Sequence, residues 1–161
     1  GMTQIGYYSR NKYEVYEPRT YITSSYYGNL GYAYPTALGA KVAQPNKAVV
    51  AVCGDGGFMF NVQELATAAK HNINVVAVVF NDNAFGNVMR DQVNMFDGRE
   101  YGAEVQNPDF MKLAEAFGVR GVRVEGSAAD LAKAVKESLS IEAPTLIEVP
   151  VGPMPNPFRN Y

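Results

Sequence analysis

Two short apolar runs dominate the hydrophobic pattern of the chain, AVVAVC at residues 48–53 and VVAVVF at residues 75–80. Neither run alternates apolar with polar positions, and both are rich in β-branched side chains. Continuous runs of this length are typical of parallel strands covered by helices on both faces, whereas strands with one wet face alternate. The pattern therefore predicts two buried strands of a parallel sheet.

Helical signals flank and separate these strands. Residues 34–43 are small and helical in character, and Pro45 ends that segment. Asn61 stands three residues before Glu64, the spacing of a capping box, and predicts a helix that runs to about His71. Strand, glycine-rich turn, helix and strand then make one βαβ unit, whose crossover should be right-handed.

The second half of the chain repeats this alternation. Asn107 and Pro108 predict the N-cap and first residue of a helix that ends at Gly118. Beyond it the pattern predicts a strand, an amphipathic helix opened by Ser127, and a last strand, at residues 119–124, 127–139 and 145–149. Alternating strands and helices predict an α/β fold with a doubly wound, mostly parallel β-sheet flanked by helices.

The two ends of the chain lack such periodicity. Residues 1–27 are polar and rich in tyrosine, which predicts an N-terminal arm or lead-in that packs on a neighbouring domain. Residues 151–161 are rich in proline, which predicts an extended C-terminal tail. We therefore expect one organised domain over residues 28–150.

Composition excludes several function classes. The 161 residues carry a net charge of −2 and a pI of about 5.4, so no basic surface for nucleic acid or anionic membrane is expected. No apolar stretch approaches the length of a membrane helix. The single cysteine, Cys53, lies inside an apolar run and predicts a buried, inert thiol. A cytoplasmic location is the expectation.

Two loops carry the candidate chemistry, Gly54–Phe58 after the first apolar run and residues 81–86 after the second. In an open parallel sheet, ligands bind beyond the carboxyl ends of the strands. Either loop alone fits an ordinary turn or helix cap. Two such loops after two neighbouring buried strands favour a ligand site.

The residue types in these loops indicate a metal-bound diphosphate. Glycines let the backbone approach an anion and direct N–H groups at it. Asp55 and Asp82 would repel a bare phosphate, and a hard divalent cation between acid and phosphate removes that conflict. Mg²⁺ binds carboxylate, carbonyl and phosphate oxygens.

Several ordered motifs carry a resemblance to a known family. Gly54-Asp55-Gly56 is followed by Asp82, 27 positions after Asp55. Upstream stands GNLGYAYPTALGAK at residues 28–41, and downstream QNPDFMKLA at residues 106–114. Together these segments resemble the C-terminal, diphosphate-binding domain of thiamin-diphosphate enzymes of the acetolactate synthase (acetohydroxyacid synthase) branch.

The resemblance implies a role for each site residue. Asp55 and Asp82 would bind Mg²⁺ through their side chains, and Ala84 through its backbone oxygen. The diphosphate would lie against backbone of the first loop, at Gly56, Gly57 and Phe58. Gly54, Phe85 and Gly86 complete the two cofactor-binding loops.

The segment before the first predicted helix would bind the cofactor's other ring. The resemblance places the carbonyl of Gly28 and the amide of Leu30 on the pyrimidine. Leu30 would be the bulky residue that holds the cofactor in a V shape, although plain core packing of Leu30 also fits the sequence.

The implied activity is decarboxylation and carboligation of 2-keto acids. The activating Glu of the family lies on a separate pyrimidine-binding domain, so no catalytic side chain is expected in this chain. That domain would be part of the same longer protein or a separate subunit, within a homo-dimer or higher oligomer. His71, at a predicted helix end, needs no catalytic role.

Two positions depart from the family pattern, and two other functions compete. Asp82 replaces the usual Asn, and Asp91 stands where biosynthetic members carry a Trp that shapes the acceptor pocket. A non-catalytic oligomerisation or regulatory module of the same fold is one alternative. A nicotinamide-dinucleotide binder is the other, although the first loop lacks the G-x-G-x-x-G spacing.

Overall fold

The computed structural model of the chain describes residues 4–24, 26–153 and 156. Its sheet has four parallel strands in the order β1–β2–β4–β3. Their bounds are β1 Val50–Gly54, β2 Val76–Asn81, β3 Arg120–Arg123 and β4 Thr145–Pro150. The predicted α/β class and parallel sheet are confirmed.

Seven helices connect or flank these strands within the described residues. They are α1 Gln4–Lys12, α2 Ala33–Ala43, α3 Asp55–Phe58, α4 Glu64–His71, α5 Gly86–Met95, α6 Phe110–Ala116 and α7 Ala128–Leu139. A 3-10 turn, Met59–Asn61, joins α3 to α4. Helices therefore follow β1, β2 and β3, as a doubly wound sheet requires.

Alternate residues of the central strands enter two separate cores. On one face, Ala77, Val79 and Leu146 pack with apolar residues of α2, α4 and α6. On the other face, Val76, Val78 and Ile147 pack with apolar residues of α7. The predicted burial of the second apolar run on both faces is thus confirmed.

The first apolar run is less buried than its composition predicts. Val50 and Val52 of β1 are 40% and 39% exposed, whereas Ala51 and Cys53 are buried. The reason is position: β1 is at the end of the four-strand order, and neither apolar cluster of the described residues includes Val50 or Val52. A continuous apolar run does not distinguish a central strand from an edge strand.

Two helices lie where the pattern predicts none. Helix α1 lies within the predicted arm and packs against β1, with Gln4 and Gly6 buried. Helix α5 follows the second candidate loop, and no residue in it is fully buried. Helices that bury so little apolar surface leave a weak periodic signal.

Two of the three predicted helix caps are wrong. Gln63, not Asn61, precedes α4, and the Asn61 amide instead donates to the carbonyl of Gly31 at 3.0 Å. Helix α6 is capped by Asp109, whose carboxylate accepts from the backbone of Met111 and Lys112. In both cases the predicted cap residue binds a distant partner instead.

The third cap, at Ser127, forms a full capping box. The Ser127 hydroxyl accepts from the Asp130 backbone, and the Asp130 carboxylate accepts from the Ser127 backbone N–H at 2.7 Å. Hydrogen bonds from Ser127 lower the pKa of the Asp130 carboxyl.

The C-terminal tail predicted at residues 151–161 lies mostly outside the described residues. Its first residue extends the pairing of β4 with β2, since the Val151 amide donates to the carbonyl of Asn81 at 2.9 Å. Among the helices of the described residues, none combines the length and apolar character needed to cross a membrane.

The capping box makes stability depend on pH. Because folding lowers the pKa of Asp130, its charge stabilises the fold above the unfolded value of about 4 and stops doing so as pH falls through the folded value. Asp130→Asn should therefore lower Tm more at pH 7 than at pH 3, because protonation removes part of the charge effect at the lower pH. Thermal melts followed by circular dichroism measure the difference.

Glu142→Gln is the control, because it removes a carboxylate outside the capping box. A Tm loss for Asp130→Asn of equal size at both pH values would contradict a role for the charge.

Candidate functional site

The sheet register brings the two candidate loops together. β1 pairs with β2 so that Gly54 lies opposite Phe80. Asp55 begins α3 directly after Gly54, and Asp82 follows the last residue of β2. Because the strands are parallel and paired, the two loops leave the same edge of the sheet side by side.

A cavity of about 220 Å³ lies between these loops and the segment before α2. Ten of the eleven residues predicted to bind cofactor line it: Gly28, Leu30, Gly54, Asp55, Gly56, Gly57, Asp82, Ala84, Phe85 and Gly86. Three separate stretches of sequence thus meet at one site.

Phe58 is the predicted residue that does not line this cavity. Its ring is buried in the core and packs edge-on against Tyr34, with ring centroids 5.5 Å apart. A second ring, that of Phe110, lies 6.2 Å away on α6. Phe58 therefore anchors α3 to the core.

The two acids of the site lie next to each other. Asp55 is only 2% exposed. Burial and the negative charge of Asp55 raise the pKa of the Asp82 carboxyl to about 6, and a hydrogen bond between the two carboxyls adds to the rise. Two like charges at such close range favour an added cation, which would lower the electrostatic cost of ionising both.

Backbone hydrogen bonds hold the second loop against residues 103–105. The Phe85 amide donates to the carbonyl of Ala103 at 2.7 Å, and the Val105 amide donates to the carbonyl of Asn83 at 2.9 Å. Neither bond uses the carbonyl oxygen of Ala84. The Ala84 amide donates to Asp82 Oδ1 at 3.3 Å, so the same turn orients the carboxylate.

Two glycines permit the close approach of the loops. A Cβ on Gly56 would lie 2.7 Å from Cε1 of Phe85, so the Phe85 ring occupies the space of the missing side chain. A Cβ on Gly86 would lie 2.9 Å from Asp82 Oδ2. Contacts of this length are too short for any larger residue unless the neighbour moves.

Several residues at the site were not predicted from the sequence. Gln4 and Ile5 of α1 and Asn87 and Val88 of α5 also line the cavity. They belong to the two helices that the hydrophobic pattern missed, so no signal pointed to them. The predicted arm therefore contributes directly to the site of its own chain.

Asn107 is a further residue at the site. Its amide nitrogen donates to Asp55 Oδ2 at 2.6 Å. The sequence signal was present, since Asn107 belongs to the quoted segment 106–114, but we interpreted it as a helix cap. Asp109 performs that role, and Asn107 is left to bind the acid of the first loop.

The donor set fits Mg²⁺ and a diphosphate. Within the described part of the chain, no three His, Cys, Asp or Glu side chains cluster to hold a metal by themselves. Asp55 and Asp82 supply two hard oxygens, and a cation here needs further oxygens from backbone or ligand. Among the described residues that line this cavity there is no Lys or Arg.

Comparison with known proteins identifies the fold's family. The profile described as "Thiamine pyrophosphate enzyme, C-terminal TPP binding domain" matches residues 1–149. The chain belongs to this family. The predicted resemblance and the predicted cofactor, thiamin diphosphate, are thereby confirmed at the level of the family, whose members are enzymes.

Two curated relatives have different activities. A probable acetolactate synthase large subunit from Methanococcus aeolicus is 38% identical over 146 residues, which is 88% of this chain and 24% of the relative. A sulfoacetaldehyde acetyltransferase from Castellaniella defragrans is 35% identical over 143 residues, or 86% of this chain and 24% of the relative. The chain thus spans about a quarter of the curated relatives it matches.

A solved structure agrees with the fold. The thiamine diphosphate-dependent 4-hydroxybenzoylformate decarboxylase of Rhodococcus jostii RHA1 aligns with a TM-score of 0.72 and 37% sequence identity. The alignment covers 78% of this chain and 24% of that protein. The predicted thiamin-diphosphate-binding fold is confirmed.

The lone cysteine and the lone histidine lie outside the site. Cys53 is buried, and burial raises the pKa of its thiol to about 11, so it stays protonated and unreactive near neutral pH. His71 is the last residue of α4, as predicted.

The contact between Gly56 and Phe85 generates a prediction about stability. Gly56→Ala should destabilise the chain by about 1–3 kcal/mol, because the new methyl forces the Phe85 ring to move. Urea denaturation measures this free energy of unfolding.

Gly39→Ala is the matched control. Gly39 lies in α2, where an added Cβ meets nothing within 4 Å, so this variant should gain about 0.4–1 kcal/mol. Equal stabilities for Gly56→Ala and the parent would show that the Phe85 ring is not packed as described.

Proposed function

We propose that this chain is the diphosphate- and Mg²⁺-binding half of a thiamin-diphosphate enzyme that decarboxylates a 2-keto acid and ligates the product to a second carbonyl compound. Asp55, Asp82 and the carbonyl of Ala84 would hold the metal. Gly56 and Gly57 would present backbone to the diphosphate.

The charge of the cavity carries this proposal. Asp55 and Asp82 stand side by side, and no basic side chain is among the described residues that line this cavity; Arg90 lines a second cavity that shares Asp82. A bare diphosphate would meet two carboxylates and be repelled, whereas a divalent cation can bind carboxylate and phosphate oxygens at once. The same argument disfavours a dinucleotide, whose pyrophosphate binds glycine loops without an acid.

The apolar part of the cavity supports the ring-binding roles. Leu30 lines the cavity together with the metal-binding acids, so it is in reach of a ligand held by them. We propose that Leu30 supports the V shape of the cofactor and that Gly28 and the Leu30 backbone bind its pyrimidine. Gly28 adopts a φ of +67°, which keeps this turn close to the cavity.

The length of the chain, compared with that of its relatives, supports a second, pyrimidine-binding domain. The chain spans about a quarter of its curated relatives. We therefore propose a partner domain in the same longer protein or in a separate subunit, within a homo-dimer or higher oligomer.

The bound cofactor would supply the carbanion chemistry of 2-keto acid decarboxylation and carboligation. The residues of this chain would bind the metal, screen the diphosphate and orient the rings, and the activating Glu would come from the partner domain. The acceptor is left open, because Asp91 on α5 stands where biosynthetic members carry the Trp that shapes the acceptor pocket. The site acids favour this enzyme role over a non-catalytic module, since pure packing needs no buried carboxylate with a second carboxylate beside it. A cytoplasmic location and the division into residues 1–27, 28–150 and 151–161 belong to the same proposal.

Metal-dependent cofactor binding tests the assignment. Isothermal titration calorimetry of thiamin diphosphate, with a pyrimidine-binding partner supplied, should show binding with Mg²⁺ and loss of binding with a chelator. Asp55→Ala should weaken binding by more than about 100-fold, because even outer partners of metal ligands contribute about 10–100-fold.

Two further variants sharpen this test. Asp82→Asn should still bind, because an amide oxygen can replace the carboxylate oxygen on Mg²⁺. Asp97→Ala removes an acid whose side chain is 94% exposed and should have no effect. Binding by Asp55→Ala as tight as in the parent would overturn the assignment.

A further inference from the structure

The side-chain amide of Asn107 joins three parts of the site. Its nitrogen lies 2.6 Å from Asp55 Oδ2, 2.9 Å from Asn81 Oδ1 and 3.2 Å from Asn83 Oδ1. These acceptors belong to the first loop, the end of β2 and the second loop. One –NH₂ group carries two hydrogens, so the three acceptors share them.

The direction of these hydrogen bonds is determined at both ends by carboxylates. Asn81 donates its own amide to Glu148 Oε1 at 2.8 Å, which leaves its oxygen facing Asn107. Asp55, when ionised, can only accept. Asn107 must therefore present its nitrogen, since its oxygen would meet acceptors on every side.

An ion pair between exposed Arg123 and buried Glu148 connects this arrangement to the sheet. Glu148 of β4 is 3% exposed, and its Oε2 accepts from Arg123 Nε at 2.8 Å. Arg123 also lies 3.6 Å from the carboxylate of Asp109, which caps α6 two residues after Asn107. The chain of contacts from Asn107 through Asn81, Glu148 and Arg123 thus returns to the segment that carries Asn107.

From this geometry we infer that Asn107 is a positioning residue: by donating to Asp55 Oδ2 it fixes the orientation of a carboxylate whose Oδ1 would bind the metal. The inference rests on the proposed function. A carboxylate that accepts a short charge-assisted bond on one oxygen can offer the other to a cation in one orientation. Outer partners of metal ligands contribute to affinity in this way.

Asn107 is not needed as the cap of α6. Helix α6 is already capped by Asp109, which accepts from Met111 N at 2.9 Å and Lys112 N at 3.3 Å. Asn107 is only half-buried, so its removal leaves no large cavity.

The test measures the affinity for Mg²⁺ and the affinity for thiamin diphosphate separately. Asn107→Ala should raise the Kd for Mg²⁺, measured by calorimetry at saturating thiamin diphosphate with the pyrimidine-binding partner present, by roughly 10–100-fold. At saturating Mg²⁺, the Kd for thiamin diphosphate should return to within about 3-fold of the parent, since the occupied site no longer depends on how Asp55 is oriented. A general structural defect would weaken both at all concentrations.

Two controls keep the result decisive. Gln106→Ala removes the neighbouring exposed amide and should bind Mg²⁺ as the parent does. Asn107→Leu keeps a similar volume without a donor, and replaces Asn107→Ala if that variant does not fold. The electron paramagnetic resonance spectrum of bound Mn²⁺ should also differ between either variant and the parent, because the Asp55 ligand is reoriented.

Each outcome has a distinct meaning. An unchanged Kd for Mg²⁺ in a folded Asn107 variant, with an unchanged Mn²⁺ spectrum, overturns the inference and leaves the proposed function intact. A parent protein that does not bind Mg²⁺ with thiamin diphosphate overturns the proposed function, and the inference with it.

Discussion

The carboxyl groups of Asp55 and Asp82 lie in contact, and the structure around them must accommodate the repulsion between their charges. Like charges at close range and partly out of water oppose each other's ionisation, and the raised pKa of Asp82 reflects that cost. The parallel register of β1 and β2 keeps the two loops that carry these acids adjacent. The fold thus holds two carboxylates close together, and a bound cation or a proton reduces the repulsion between them.

The scaffold can hold such a pair because the buried acid next to it in the sheet, Glu148, has partners of its own. Glu148, a buried charge on the central part of the sheet, has Arg123 on one oxygen and Asn81 on the other. A buried carboxylate without such partners would destabilise the fold by several kcal/mol. The apolar cores on both faces of the sheet therefore carry the stability, while this polar network supplies orientation at the edge where the loops meet.

Hydrophobic pattern predicted the sheet and the loops that leave it, because a buried parallel strand leaves a continuous apolar run. It could not predict α5, in which no residue is fully buried, or the exposure of Val50 on β1. The same limit affected the site. Asp55 and Asp82 were recognisable from their positions directly after strands, whereas Asn107 carried a local signal for a helix cap. A contact between residues 52 positions apart decided its role instead, and no short-range pattern encodes that.

The fit of the Phe85 ring over Gly56 has a consequence for how such sequences can vary. Because the ring fills the volume that a side chain at position 56 would need, neither position is free to change alone. A larger residue at 56 becomes acceptable only where position 85 carries something smaller, and the reverse exchange would open a gap between the loops. Among related chains the residues at positions 56 and 85 should therefore covary, because their combined size must match the gap between the two loops.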